Sequence, residues 1–145
     1  MKKYFLLFGI IILAMSANAS EYTYTPLYIQ HLKACSAYTD EYTTSVSTGD
    51  ENSPYLKLKS TEEILGLING KCYTKSTIYS YDLDKIIMTI KCGLSKVQQE
   101  EMITLLQKVN KEKSIKAKKK LQDGLVKFIE DNSTCRVKNY LEEEN

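Results

Sequence analysis

The side chains that could carry chemistry in this sequence are one histidine, a few neighbouring carboxylates, four cysteines and a dense run of lysines. His31 is the only histidine, and a general base needs a partner that orients its ring. Asp40 and Glu41 lie nearby in the chain, but no triad-like signature accompanies them. We therefore expect His31 to be an exposed or hydrogen-bonded loop residue, and the sequence predicts no catalytic residue.

Neighbouring carboxylates offer a second chemistry, acid–base hydrolysis. They occur as Asp82 and Asp84, Glu62 and Glu63, and Glu100 and Glu101. Glycoside hydrolysis needs two carboxylates on opposite sides of a cleft, whereas adjacent residues on a strand point apart. Asp82 and Asp84 are better explained as turn residues. A small hydrolase therefore remains an alternative only if distant residues converge in the fold.

The cysteines predict two disulfide bonds and no metal centre. They are Cys35, Cys72, Cys92 and Cys135. No pair has the close C-x2-C spacing of a zinc site, and one histidine cannot complete such a site. An even number of cysteines in an exported chain is typical of a disulfide framework. We expect no metal ion and no cofactor.

The first nineteen residues have the features of a secretory signal peptide. Lys2 and Lys3 precede an apolar segment from Tyr4 to Met15, and Ala17-Asn18-Ala19 supplies small residues for cleavage after Ala19. The segment is too short and wrongly flanked for a stable membrane span, and an uncleaved anchor is the alternative. We therefore predict a periplasmic or secreted protein of residues 20–145, with no stable membrane span after cleavage.

Removal of this peptide leaves a chain without net charge. Loss of Lys2 and Lys3 lowers the basic residues from 20 to 18, which equals the 18 acidic residues. The composition therefore does not predict a general attraction to nucleic acid or to anionic membrane. About 126 residues make one domain with room for a modest core.

The dipeptide Asn69-Gly70 is the strongest local signal for secondary structure. A type I′ hairpin turn needs positive φ at both central residues, which Asn and Gly tolerate. A second turn is centred near Asp82. The two turns predict the pairs Ile68–Lys71, Leu67–Cys72, Leu65–Thr74, Ile78–Ile86, Ser76–Met88, Thr74–Ile90 and Cys72–Cys92. The sequence thus predicts a three-stranded antiparallel meander.

Alternation along these strands sorts the side chains onto two faces. The predicted core face carries Leu65, Leu67, Cys72, Thr74, Ile78, Ile86, Met88, Ile90 and Cys92. The predicted outer face carries Ile64, Ile68, Tyr73, Lys75, Thr77, Tyr79, Ile87, Thr89 and Lys91. Tyrosine beside threonine and lysine suits recognition, so Tyr73, Lys75, Tyr79 and Lys91 form a candidate binding face. Alternatively, the Tyr-rich N-terminal arm folds over this face and buries it.

Four cysteines allow three pairings, and the sequence does not settle among them. Cys72 and Cys92 are directly opposed in the predicted register, at a separation that a disulfide can span. We therefore favour Cys72–Cys92 together with Cys35–Cys135. Both strand cysteines also point towards the elements that carry Cys35 and Cys135, so the other pairings stay open.

Segments on either side of the meander are predicted as follows. Ser20 to Ile29 is an extended arm, Leu27 to Tyr42 carries a short helix, and Thr43 to Pro54 is a loop. A capping box of Ser95 and Gln98 starts a helix that contains Met102, Leu105, Leu106 and Val109. A second helix contains Leu121, Leu125, Phe128 and Ile129 and ends at Asn132-Ser133, before an acidic tail at residues 139–145.

The segment Lys111–Lys120 holds six lysines and one glutamate. The lysines are Lys111, Lys113, Lys116, Lys118, Lys119 and Lys120. Such a run could contact phospholipid headgroups, lipopolysaccharide or an acidic partner; the alternative is a solvated helical face or linker. Because the run contains no aromatic residue, nucleic acid is not an expected partner.

Three short pieces, LKACSAY at 32–38, LGLINGKCY at 65–73 and KCGLSKVQ at 91–98, together resemble a pattern of small exported bacterial proteins. In that pattern a helix with a cysteine precedes an N-G-K-C hairpin, and a strand that ends in Cys precedes a Leu-Ser helix cap. The resemblance covers Leu32 to Leu106. It implies an exported location and this fold, and it implies no catalytic residue.

These observations predict one small α+β domain: an N-terminal arm and helix, the meander, and two C-terminal helices that pack on its apolar face. Its expected role is non-catalytic binding in the cell envelope, with an envelope protein or an anionic surface as partner. The alternative is a small hydrolase whose site is assembled only in three dimensions.

Overall fold

Over the residues that it describes, 24–47, 51–52, 55–131 and 134–141, the computed structural model shows an α+β fold with three helices and a five-stranded antiparallel sheet. The elements in chain order are α1 (Pro26–Ala34), β1 (Tyr38–Ser47), β2 (Tyr55–Ile68), β3 (Lys71–Ser80), β4 (Lys85–Leu94), α2 (Lys96–Lys111), α3 (Ile115–Asp131) and β5 (Cys135–Asn139). The predicted signal peptide and cleavage site lie outside the described residues, as do Asn132, Ser133 and residues 142–145 of the acidic tail. None of the helices in the described ranges has the length and apolar character to cross a membrane.

The sheet is a continuous meander with strand order β1-β2-β3-β4-β5. The predicted β2–β3 turn is confirmed, because Asn69 and Gly70 have φ values of 50° and 78° and the flanking pair is Ile68 with Lys71. The predicted three-stranded meander corresponds to β2, β3 and β4, and the prediction is incomplete because the sheet has five strands. Strands β1 and β5 add one strand to each edge, so the meander lies in the middle of a wider sheet.

A β-bulge in β2 changes which side chains of that strand face the core. Ile64 pairs with Thr74 and Gly66 pairs with Tyr73, so Leu65 has no direct partner and the predicted pair of Leu65 with Thr74 is wrong. Gly66 adopts φ 112°, which a residue with a side chain rarely adopts. The prediction that Leu65 and Leu67 lie in the core is wrong, since they are 47% and 65% exposed. Ile64, predicted on the outer face, is buried instead.

Strands β3 and β4 pair two residues away from the predicted register. Cys72 lies opposite Leu94 and Thr74 opposite Cys92, because the turn spans four residues, 81–84, and a bulge adds one more between Ile78 and Tyr79. A slip of two residues leaves each side chain on its own face. The core positions confirmed on these two strands are Cys72, Thr74, Ile78, Met88, Ile90 and Cys92. Near the second bulge the prediction fails, since Ile86 is exposed and Ile87 is buried.

The N-terminal elements differ most from the prediction. Helix α1 begins at Pro26, where an extended arm was expected, because the Thr25 hydroxyl caps it by accepting a hydrogen bond from the Tyr28 amide at 3.1 Å. The helix stops at Cys35, which adopts the left-handed conformation. The predicted helix and loop from Tyr38 to Ser47 are instead strand β1, in agreement with the β-propensity of its Tyr, Thr and Val residues.

The two C-terminal helices are confirmed. Helix α2 starts with the predicted capping box, in which Ser95 and Gln98 exchange side-chain-to-backbone hydrogen bonds. It buries Met102, Leu106 and Val109, and Leu105 packs partly buried against the same core. Helix α3 buries Leu125, Phe128 and Ile129.

Helix α1 is held against α2 by two side-chain amides. The Gln99 amide nitrogen donates to the carbonyl oxygens of Leu32 at 2.5 Å and Lys33 at 3.1 Å, and the Asn110 amide nitrogen donates to the Tyr24 carbonyl at 2.7 Å. The last turn of α1 therefore lies beside the first turn of α2, and the two helices run antiparallel. All three helices contribute to the core on one side of the sheet.

Two disulfides are present, and the favoured pairing is wrong. The bonds join Cys35 to Cys72 and Cys92 to Cys135, with Cα separations of 5.7 and 4.1 Å. Cys72 and Cys92 are not opposed in the observed register, whereas Cys92 and Cys135 are direct partners on β4 and β5. One bond thus ties the end of α1 to β3, and the other attaches the short edge strand β5.

Candidate functional site

The sheet face opposite the helices, which we name the outer face, carries the four residues predicted to bind a partner. They alternate along their strands with buried residues such as Cys72, Ile78, Ile90 and Cys92, and this alternation turns them away from the helices. The four are Tyr73, Lys75 and Tyr79 on β3, and Lys91 on β4. The structure brings them onto one surface and adds side chains from β2 and β5.

Three cations stand side by side across this face, in what we name the cation row. Lys75 pairs with Lys91, and Lys91 pairs with Arg136 of β5. Side chains at paired positions lie on the same face, and adjacent strands are about 4.8 Å apart, so the row spans about 10 Å. Glu63 closes one end with an ion pair of 3.9 Å to Lys75. Among the described residues no carboxylate forms an ion pair with Lys91 or Arg136, and both side chains are exposed.

A row of hydroxyls lies next to the cation row. Thr61, Thr77 and Thr89 pair with one another across β2, β3 and β4, and Lys138 of β5 ends the row. The Thr61 hydroxyl donates to Glu41 at 3.4 Å. Within the described ranges the hydroxyls of Thr77 and Thr89 make no hydrogen bond to protein. Both are half-buried and remain available to a ligand on this face.

Tyrosines border the two rows. Tyr73 lies across β4 at Gly93, where a Cβ atom would come within 3.0 Å of the tyrosine ring, so the glycine lets the ring lie close to the sheet. On the other side Tyr79 packs edge-on against Tyr81 with ring centres 5.3 Å apart. The Tyr79 hydroxyl donates a hydrogen bond to Asp84, and this bond raises the pKa of Tyr79. The Asp84 carboxylate lies in the predicted turn.

The described N-terminal tyrosines do not cover the outer face. Tyr24 and Tyr28 lie on the helical side of the sheet, with ring centres 5.3 Å apart, and burial raises the pKa of both. The alternative in which the arm buries the outer face is therefore wrong for these two residues. Tyr22, the third tyrosine of that alternative, lies outside the described residues.

A second cluster is inside the protein, around Glu62. This side chain is 4% exposed and points from β2 into the core, where the Ser76 hydroxyl donates to it at 2.5 Å and the Tyr42 hydroxyl at 3.4 Å. Asp40 is its partner across β1 and accepts a hydrogen bond from Thr25 at 2.6 Å. Burial raises the pKa of Glu62 to about 7, because the two hydrogen bonds only partly offset desolvation.

The cavity beside Glu62 is too small for a substrate. It measures about 50 Å³ and is lined by side chains of the sheet, of α2 and of α3, together with Tyr24 and with Tyr28 of α1. Ligand pockets usually measure about 300–1,000 Å³. Glu62 and Asp40 thus lie at paired positions of neighbouring strands, and the cavity beside Glu62 has no room for a substrate.

His31 lies on helix α1 and not in the expected loop. Its Nδ1 atom is 2.7 Å from the Ser36 hydroxyl, and its ring stacks on Tyr38 with centres 4.5 Å apart. No described carboxylate makes a hydrogen bond to the ring. The Ser36 amide also donates to the His31 carbonyl at 3.0 Å, so this contact closes the end of the helix.

The lysines of the basic run lie on the helical side of the molecule. Lys111 ends α2, Lys113 lies in the connection, and the other four, Lys116, Lys118, Lys119 and Lys120, belong to α3. All six are exposed except Lys118, which is half-buried. The two candidate anion-binding surfaces therefore lie on opposite sides of the sheet, and they can be tested separately.

The sequence analysis did not identify Arg136 and Lys138 as cations of the outer face, because it did not predict β5. Its alternation of Cys135, Arg136, Val137 and Lys138 was a signal for a short strand.

The described ranges contain no group of three or more His, Cys, Asp or Glu side chains that could hold a metal ion. Comparison of the chain with protein-family models, curated proteins and solved structures gives no match.

Proposed function

We propose that the protein is an exported, non-catalytic binding module of a bacterial envelope, and that its outer face holds an anionic ligand. The cation row is the observation that carries this proposal. Like charges on paired strand positions destabilise a sheet, so Lys91 beside Arg136, neither of which has an ion-pair partner among the described residues, costs stability that a bound anion would restore. Arg136 adds planar, two-point recognition of phosphate, sulfate or carboxylate groups.

The proposed location is the periplasm or the exterior of the cell. Two disulfides support it, because thiols stay oxidised in these compartments. The predicted signal peptide supports it as well. The resemblance to small exported bacterial proteins points to the same place.

A binding role fits the geometry better than the alternative, a hydrolase. Among the described residues, Glu62 and Asp40 are carboxylates at paired positions of β2 and β1, and the cavity that Glu62 lines measures only about 50 Å³. No described helix covers the outer face, and its polar side chains are exposed or half-buried, as expected of a surface that recognises a partner.

The test compares two triple variants that lose the same charge from opposite sides of the sheet. One carries Lys75→Gln, Lys91→Gln and Arg136→Gln; the control carries Lys116→Gln, Lys119→Gln and Lys120→Gln. Fluorescence anisotropy with labelled polyphosphate at low salt measures binding. We expect the outer-face variant to bind at least about tenfold more weakly, because each cation near an anionic surface contributes about 1 kcal/mol. The control should bind within about twofold of the wild type, and added salt should weaken all binding.

Two results would overturn the proposal. The first is a control variant that loses binding while the outer-face variant keeps it, which would move the anion site to α3. The second is a wild-type protein that binds no polyphosphate even at low salt.

A further inference from the structure

We infer that the anionic ligand of the outer face is a carbohydrate chain that carries sulfate or phosphate groups. This inference rests on the proposed function and names the class of ligand. A simple polyanion requires only cations, but the outer face combines a cation row with the threonine hydroxyls of Thr77 and Thr89 and with the ring of Tyr73. Each of these parts matches a different part of a charged sugar chain.

The cation row could bind the charged groups of the carbohydrate chain. Lys75, Lys91 and Arg136 stand about 5 Å apart across the strands. Lys138 lies two residues from Arg136 along β5, about 7 Å away. Lys75, Lys91 and Arg136 could contact sulfate or phosphate groups on successive sugars, whereas the Lys138 ammonium lies 4.7 Å over the centre of the Tyr140 ring.

The hydroxyls of Thr77 and Thr89 could form hydrogen bonds with the hydroxyl groups of the sugars. They lie two residues along β3 and β4 from Lys75 and Lys91, about 7 Å away on the same face. Each threonine hydroxyl offers one donor and two acceptor positions, and neither is used by a described part of the protein. Phosphate and sulfate need donors only, whereas the hydroxyl groups of a sugar need donors and acceptors together.

The ring of Tyr73 could contact the apolar face of a sugar ring. Because Gly93 has no side chain, the Tyr73 ring lies close to β4, next to Lys91 along that strand. Tyr73 is half-buried at this position, and an aromatic ring supplies a large apolar surface on which the apolar face of a sugar ring could stack. The rows follow each other along the strands in the order aromatic, cationic, hydroxyl, at intervals of about 7 Å.

The experiment separates this inference from the proposed function by using two probes. Thr77→Val combined with Thr89→Val keeps the shape and β-branching of both side chains and removes only the hydroxyls. The control variant, Thr43→Val, makes the same change on β1, at an exposed position away from the cation row. Binding of a heparin octasaccharide, a sulfated sugar chain, is compared with binding of polyphosphate for the wild type and both variants.

We expect the double variant to bind the heparin octasaccharide about tenfold more weakly, which corresponds to two lost hydrogen bonds. Its affinity for polyphosphate should stay within about twofold of the wild type, and the control should change neither affinity. If the double variant keeps its affinity for the octasaccharide, or loses affinity equally for both probes, the carbohydrate inference is wrong and a general anion site remains. If the wild type binds neither probe, both the inference and the proposed function fail.

Discussion

Glu62 is the residue whose environment in the structure differs most from what the sequence analysis considered. The sequence analysis considered it only as one of two adjacent glutamates that point apart. The bulge at Leu65 turns the side chains of β2 so that Glu62 faces the core beside Ser76 and Tyr42. The sequence signal for this bulge is Gly66, an isolated glycine inside a strand, and because this signal was not used, the buried carboxylate was not predicted.

The buried carboxylate predicts how stability depends on pH. The pKa of Glu62 is raised from 4.5 to about 7 in the fold, so the folded protein binds this proton more tightly than the unfolded chain does. The free energy of unfolding should therefore fall as pH rises from 4.5 to 7 and then level off, with a total loss of about 3 kcal/mol from this group. Urea unfolding across this pH range measures the decline.

Substitution Glu62→Gln should remove that part of the decline. The amide keeps an acceptor for Ser76 and cannot ionise, so at pH 8 the variant should be more stable than the wild type by up to about 3 kcal/mol. At pH 4.5 the two should be nearly equal. The control is Glu63→Gln on the outer face, which should leave the pH dependence almost unchanged. Identical pH curves for Glu62→Gln and the wild type would show that Glu62 is not the buried titrating group.

At the scale of elements, local signals predicted one hairpin turn and one helix cap correctly, whereas long-range strand pairing was predicted poorly. Asn69-Gly70 and the capping box at Ser95 act within four residues, and both are confirmed. The register of β3 with β4 depends on a bulge as well as on the turn, and the prediction missed it by two residues. Two residues are one full period of a strand. The error therefore does not change which side chains of β3 are assigned to the inward face and which to the outward face.

The edge strands were missed for different reasons. Thr43 to Ser47 has the Ser and Thr content of a loop, yet it belongs to β1, where pairing with β2 satisfies its backbone. Strand β5 has only five residues, and its place beside β4 depends on the bond of Cys92 to Cys135. Disulfide connectivity is a property of the folded register, and sequence spacing does not determine it.

Tryptic mapping without reduction tests the arrangement of these elements. Cleavage after lysine and arginine places the four cysteines in peptides 34–57, 72–75, 92–96 and 128–136. The structure predicts that 34–57 is linked to 72–75 and that 92–96 is linked to 128–136. A linked pair of 72–75 with 92–96 would contradict the observed β3–β4 register and place α1 and β5 elsewhere.

At the scale of the whole molecule, the fold separates a structural side from a recognition side. The helical side contains the core, the described N-terminal tyrosines and the buried Glu62. The outer face carries polar, cationic and aromatic side chains and receives no described helix. The sequence analysis correctly predicted that Tyr73, Lys75, Tyr79 and Lys91 lie on the outer face. It could not place Arg136 and Lys138 there, because it did not predict β5.

The most direct test of ligand binding on the outer face is a map of the bound surface. Titration of ¹⁵N-labelled protein with the heparin octasaccharide, followed by amide chemical shifts, reports which strands and helices respond. We expect the largest shifts at Lys75, Lys91 and Arg136 and their strand neighbours, with small shifts along α3. Shifts centred on residues 116–120, or no shifts at saturating octasaccharide and low salt, would contradict the account.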